Sequence, residues 1–252
     1  LVSRVCMQLL CVCGYCDWCL GGVLFFFFWG DGDHGDLHRV DRRQRQMCIR
    51  DSLIYKSIFE KETDAAKKEA AVQKIHQLYA GMIDCYNAKV IKIAGCNDEN
   101  CLKQKISDIK AQEAYDMYYS LRSPYKDLLK VLDESAALGG KNALYTIITP
   151  YADVAVYQFL NKELSKEATR DIYNKVNEIG EYNIANNKKY SSYYKDALTY
   201  ANAKFGEIED YIFDCEYFKE KLIQEYQKDA ESHEVIQDVF NRRSTNGCDT
   251  EN

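Results

Sequence analysis

The sequence predicts an all-α chain of short-linked, antiparallel helix pairs, organised as a helical-repeat solenoid. From residue 53 onward apolar residues recur at steps of three and four, which places them on one stripe of a helix. No stretch shows the sustained alternation that a half-buried strand requires. Helix starts recur at roughly 17 to 25 residues, so that pairs recur at about 40, a loose period within the range of helical repeats. Connections this short favour antiparallel neighbours. An irregular helical bundle is the other architecture this pattern admits.

The first predicted helix covers Asp64 to Ile93, with Val72, Ile75, Tyr79, Met82, Tyr86 and Val90 on its apolar stripe. The second covers Leu102 to Leu121, with Ile106, Ile109, Ala114, Met117 and Leu121 inward. Ser123 before Pro124 reads as a helix start, because a serine oxygen accepts from free amide groups and proline suits the first turn. Leu128, Leu129 and Leu132 form the buried side of that helix, which is expected to stop at Gly139 and Gly140.

Asn142 is expected to cap the next segment. Asn142 to Leu160 is apolar almost all round and reads as a buried central helix that Pro150 kinks or splits. Ser165 caps Glu167 to Ile184, with Ile172, Val176 and Ile179 inward. Tyr190 to Ile208 carries Tyr194, Leu198, Ala201 and Phe205. Asp214 caps a helix bearing Phe218, Leu222 and Tyr226, and Val235, Ile236, Val239 and Phe240 mark the last one.

Residues 1–52 differ in character. They contain no Lys and no Glu but hold both Trp, six of the 11 Cys and the run Phe25 to Phe28, whereas the rest has 23 Lys against four Arg. The change coincides with Arg42 to Ser52, RRQRQMCIRDS, which resembles one translated frame of a transposase library adapter. That resemblance implies that residues 1–52 form no domain and are disordered or poorly packed, and that 53–252 is the folded part.

It also removes the warrant from three local features. Cys16, Cys19, His34 and His38 have zinc-site spacing, but read as chance in a Cys-rich frame. Leu20 to Trp29 lacks the cleavage pattern of a signal peptide and is too short to span a bilayer. The arginines at 39, 42, 43 and 45 belong largely to the adapter-like stretch, and the chain as a whole has a formal net charge of −6.

The run YADVAVYQFLNKELSKEATRDIYNKVNEIGEYNI, followed by FDCEYFKEKLIQEYQKDAESHEVIQDVFNRRSTNGCDTEN, resembles exported tetratricopeptide-repeat-like proteins of the Bacteroidota. The elements that carry the resemblance are the pair Tyr182 and Asn183 near a helix end, Asp214 with Cys215 before a helix, and Cys248 after the next; Leu138, Gly139, Gly140 and Asn142 look like a turn before a repeat. The chain departs from the tetratricopeptide consensus in lacking its Trp, its Gly-Tyr-Ala-Phe ladder and its period. The resemblance implies a degenerate tetratricopeptide-like solenoid with a concave face, a protein or peptide partner, a periplasmic or cell-envelope location and no catalytic residues. Relatives of this kind begin with a signal peptide and continue past the point where this chain ends, so it further implies a fragment truncated at both ends.

Five cysteines fall in 53–252. Cys215 and Cys248 bracket one helical hairpin, where a disulfide would close a loop of about 34 residues and stabilise by roughly 3 to 4 kcal/mol in the loop-entropy view. Cys96 and Cys101 flank the polar stretch Asn97 to Asn100 and are candidates for a loop staple, or one of them for pairing with Cys85. No metal or cofactor is expected, because His76 and His233 stand alone and no phosphate loop or hand-type calcium loop is present.

The most informative surplus is aromatic. Of the 19 Tyr after residue 52, Tyr115, Tyr118, Tyr119, Tyr190, Tyr193 and Tyr194 are candidates to line a binding groove, where tyrosine gives large contact area at low entropy cost. Lys67, Lys68, Lys188 and Lys189 read as solvated faces. The function expected is a protein-interaction or scaffold module without catalysis. The alternative is a helical-bundle small-ligand carrier or enzyme with a Tyr-rich pocket. A nucleic-acid partner is not expected of an acidic chain without a basic stripe, nor is a transmembrane segment in 53–252.

Overall fold

The structure, a computed structural model, describes residues 51–88, 96, 98–214 and the single positions 223, 233, 236 and 237. Among the described residues the secondary structure is helical, with no strand. These helices fall into two units, divided between Ile147 and Ile148.

The first unit contains α1 (51–61), α2 (Ala65–Asn87), α3 (Glu99–Tyr119) and α4 (Tyr125–Gly139), followed by short 3-10 turns at Gly140–Asn142 and Tyr145–Ile147. Helix α1 runs through the expected boundary at 52 and 53, and Ser52 is only 5% exposed. The packed part of the chain therefore includes the last residues of the adapter-like stretch; residues 1–50, with the candidate zinc ligands, lie outside the described residues.

Helix α2 starts where the pattern places it, with the Asp64 side chain accepting from the Lys67 amide at 3.0 Å. Its stripe of Ile75, Tyr79 and Tyr86 is buried, while Val90 lies outside the described residues. Tyr55 and Phe59 of α1 pack with Val72 and Met82 of α2 and Ile109 of α3 around the buried Ile75, Tyr79 and Leu121.

Helix α3 begins three residues earlier than Leu102, because Asp98 caps it by accepting from the Cys101 amide at 2.7 Å. Glu99 and Asn100 are thus first-turn residues rather than loop. At the other end Arg122 takes a φ of 52°, and the Ser123 amide donates back to the Met117 carbonyl at 2.9 Å. This closes the helix in the way glycine usually does. The residue before α4 is Pro124, with no side-chain cap, so Ser123 does not cap it. The Pro124 carbonyl accepts the first amide bonds instead.

Helices α3 and α4 form the closest pair of this unit. Ser107 Oγ donates to the Ser135 carbonyl at 2.8 Å and Ser135 Oγ donates to the Ser107 carbonyl at 3.1 Å, both fully buried. The small residue Gly139 allows this approach, since a Cβ there would lie 2.4 Å from Ser107 Oγ and 3.0 Å from Ala143 Cβ. Gly140 follows with a φ of 51° and ends the helix where expected. Asn142 caps nothing: it ends a 3-10 turn, and its carbonyl accepts from Gln104 Nε2 at 2.9 Å.

The second unit contains α5 (Ile148–Leu160), α6 (Lys166–Asn186), α7 (Ser191–Gly206) and α8 (Glu209–Ile212). Pro150 neither kinks nor interrupts α5, because it sits in the first turn, where its missing N–H has no intrahelical partner to lose. Eight of the 13 residues of α5 are buried, which makes it the central helix of the unit. Ser165 caps α6 through the Ala168 amide at 3.2 Å, and Ile172, Val176 and Ile179 face inward. Tyr194, Leu198, Ala201 and Phe205 of α7 are buried on the predicted stripe. Gly180 lies against Leu198, where an added Cβ would come within 2.8 Å of a leucine methyl. Arg170 ties α6 to the end of α8 and the segment that follows it, donating from Nε to the Ile212 carbonyl and from Nη2 to Asp214 at 2.8 Å.

Helices expected around Phe218, Leu222 and Tyr226, and around Val235, Val239 and Phe240, lie outside the described residues, as do Cys215 and Cys248; Ile236 is helical and exposed. Replacing Gly139 with alanine is expected to displace Ser107, strain the serine pair and lower stability by about 1–3 kcal/mol, read from urea unfolding at constant m-value.

Candidate functional site

Two carboxylates on α3 organise the first unit. Glu113 and Asp116 are one turn apart, next to the buried Ala114 and Met117, and the helix pattern carries them into the interior, where they are 5% and 1% exposed. A charge buried to this degree must be paired and hydrogen-bonded. Asp116 Oδ1 accepts from Lys56 Nζ of α1 at 2.9 Å and from Gln112 Nε2 at 3.4 Å, and Oδ2 accepts from the Tyr79 hydroxyl of α2 at 2.5 Å. Burial and the facing carboxylate hold the Tyr79 hydroxyl protonated far above its ordinary range.

Glu113 has its own set of partners. His76 Nδ1 of α2 lies 2.8 Å from Oε1, and Lys110 Nζ donates to Oε2 at 3.1 Å while also reaching Glu134 of α4 at 3.1 Å. Burial pushes the Glu113 carboxyl up, but the hydrogen bonds and charges of His76 and Lys110 outweigh it and leave the group below its ordinary value. Lys110 answers in the same way: burial depresses its ammonium, and the two glutamates raise it above the ordinary value. Together the two carboxylates tie α1, α2, α3 and α4 to one another.

Beside Asp116 a cleft of about 340 Å³ opens between α1, α2 and α3. Leu53, Met82, Tyr86 and Ile109 supply its apolar wall, and Lys56, Lys105, Asp108 and Gln112 its polar positions. Tyr79 and Tyr86 line it; both belong to the buried stripe expected of α2, and neither is among the tyrosines named as groove candidates.

Those residues are placed as follows. Tyr115 and Tyr119 are exposed on the last turns of α3 with ring centroids 4.5 Å apart; Tyr118 meets Tyr119 edge-on at 4.7 Å and stacks with Tyr125 of α4 at 6.4 Å. In the second unit Tyr190 and Tyr193 are exposed and 6.1 Å apart. Tyr194 is not a groove residue. It is 2% exposed in the core of the second unit, because it shares the stripe of Leu198, Ala201 and Phe205.

Cys96 and Cys101 are joined in a disulfide with Cα atoms 5.5 Å apart, which pins the chain entering α3 around the Asp98 cap. Cys85 is disulfide-bonded separately. His76 is a partner of Glu113, and among the described residues no group of three or more His, Cys, Asp or Glu is placed to hold a metal ion. Lys67, Lys188 and Lys189 are exposed, while Lys68 is half-buried with its Nζ 5.2 Å over the Phe59 ring. Among the described residues no helix is long and apolar enough to cross a membrane. No family model matches the chain, and no curated protein or solved structure matches it.

The geometry generates two expectations. Tyr79→Phe removes one of the three donors to a buried carboxylate and is expected to cost about 1–3 kcal/mol in denaturant unfolding. Because the Glu113 pKa is depressed in the fold, its contribution is present above the ordinary value of 4.5 and disappears as pH falls through the folded value. Unfolding free energy measured against pH is therefore expected to drop on the acid side, and Glu113→Gln to flatten that drop while lowering stability at neutral pH.

Proposed function

We propose that the chain is a protein-interaction module of the helical-repeat type, and that its helix pairs are the degenerate tetratricopeptide-like repeats of an exported Bacteroidota protein acting in the cell envelope. The observation that carries the reading is the tyrosine cluster at the α3–α4 turn. Tyr115 and Tyr119 are 39% and 44% exposed yet held against one another, and Tyr119 packs on Tyr118, which in turn stacks with Tyr125. Aromatic side chains on a rigid helical hairpin offer a partner large apolar area at low ordering cost, with hydroxyls at its rim. The partner class this surface fits is an extended peptide or protein segment, and no chemical step is assigned to it.

A second reading, a small-ligand carrier, is favoured by one observation, the cleft beside Asp116.

Panning the whole chain against a displayed peptide library tests the first reading. The expected outcome is a peptide whose affinity, measured by calorimetry, falls about thirtyfold or more on Tyr119→Ala. Absence of any enriched peptide, or binding indifferent to both Tyr115→Ala and Tyr119→Ala, contradicts it.

A further inference from the structure

The cleft of the first unit carries a more specific statement, which rests on the carrier reading. Its wall is apolar, formed by Leu53 of α1, Met82 and Tyr86 of α2 and Ile109 of α3, and at about 340 Å³ it lies in the size range of small-molecule sites. The polar groups at its edge are unevenly committed. Asp116, beneath it, already accepts from Lys56, Gln112 and Tyr79, and Lys56 Nζ is held at 2.9 Å. Asp108 accepts on both oxygens, from Gln104 on one and from Lys105 on the other.

Lys105 differs from these. Its contact to Asp108 is long, at 3.5 Å between groups each about one-third exposed, whereas Lys56 is 16% exposed and held at 2.9 Å. A surface pair at that separation contributes little and is readily exchanged. The cleft therefore offers a loosely held cationic donor above an apolar wall, beside Asp108, whose other oxygen accepts from Gln104.

The geometry points to an amphipathic monocarboxylate as the ligand: an apolar chain against Met82, Tyr86 and Ile109, and a carboxylate accepting from Lys105. A ligand with a cationic head meets the same ammonium unfavourably, and a neutral head forgoes the charge-assisted hydrogen bond.

Isothermal titration of the full chain with decanoate, decanol and decylammonium, each kept below self-association, tests this. Decanoate is expected to bind more tightly than the other two by about tenfold or more, to weaken by a similar factor on Lys105→Ala, and to be excluded by Ile109→Trp, with the helical circular dichroism of both variants unchanged. Lys105 is on the helix surface, so its variant reports on the site even where the tryptophan variant fails to fold. Equal binding of all three probes, or decanoate binding unchanged in Lys105→Ala, overturns the headgroup assignment while leaving a carrier. Binding of none of the three overturns the carrier reading along with it.

Discussion

Asp116 is 1% exposed and belongs to α3, yet the groups that keep its charge in the interior come from α1 and α2 as well as from its own helix. An isolated carboxylate at that depth would be strongly disfavoured, so loss of any one partner is costly. The position of α1 follows from this constraint. Helix α1 presents Leu53, Ile54 and Ile58 to the exterior, at 55%, 57% and 42% exposed, so its docking depends on Tyr55, Phe59 and the Lys56 link. The cleft inherits the same dependence, since α1 supplies part of its lining beside α2 and α3.

Glu113 extends the arrangement to α4 through Lys110, which spans Glu113 and Glu134. Replacing buried ion pairs with well-packed apolar residues is often neutral or stabilising, so these carboxylates are best understood as setting which surfaces meet. Apolar contact is non-directional, so the stripes of four helices admit more than one register. A charge that must find Lys56 and Tyr79 together selects one.

Much of the fold was legible because it is written in local chemistry. Asp64 and Ser165 cap their helices with the geometry their side chains allow, Gly140 takes the positive φ that ends α4, and the stripe of Tyr194, Leu198, Ala201 and Phe205 is buried as its spacing requires. The misplacements have local causes as well. Asp98 was a stronger cap than the apolar start at Leu102, Pro124 supplied a carbonyl where Ser123 was expected to supply a hydroxyl, and Pro150 entered a first turn rather than an interior. The site was harder to read. Glu113 and Asp116 lie one turn apart among apolar positions, which is a usable signal, but their partners Lys56, His76 and Tyr79 are distant in sequence and only the packing joins them. The tyrosine clusters stood out by composition, yet composition does not separate the exposed Tyr119 from the buried Tyr194.

The Lys56–Asp116 link fixes α1 on the first unit, and a double-mutant cycle with Lys56→Met and Asp116→Leu tests this most directly. The expected coupling energy is about 1–3 kcal/mol, the double variant being less destabilised than the sum of the two single variants. Additive effects, with a coupling energy near zero, would contradict it.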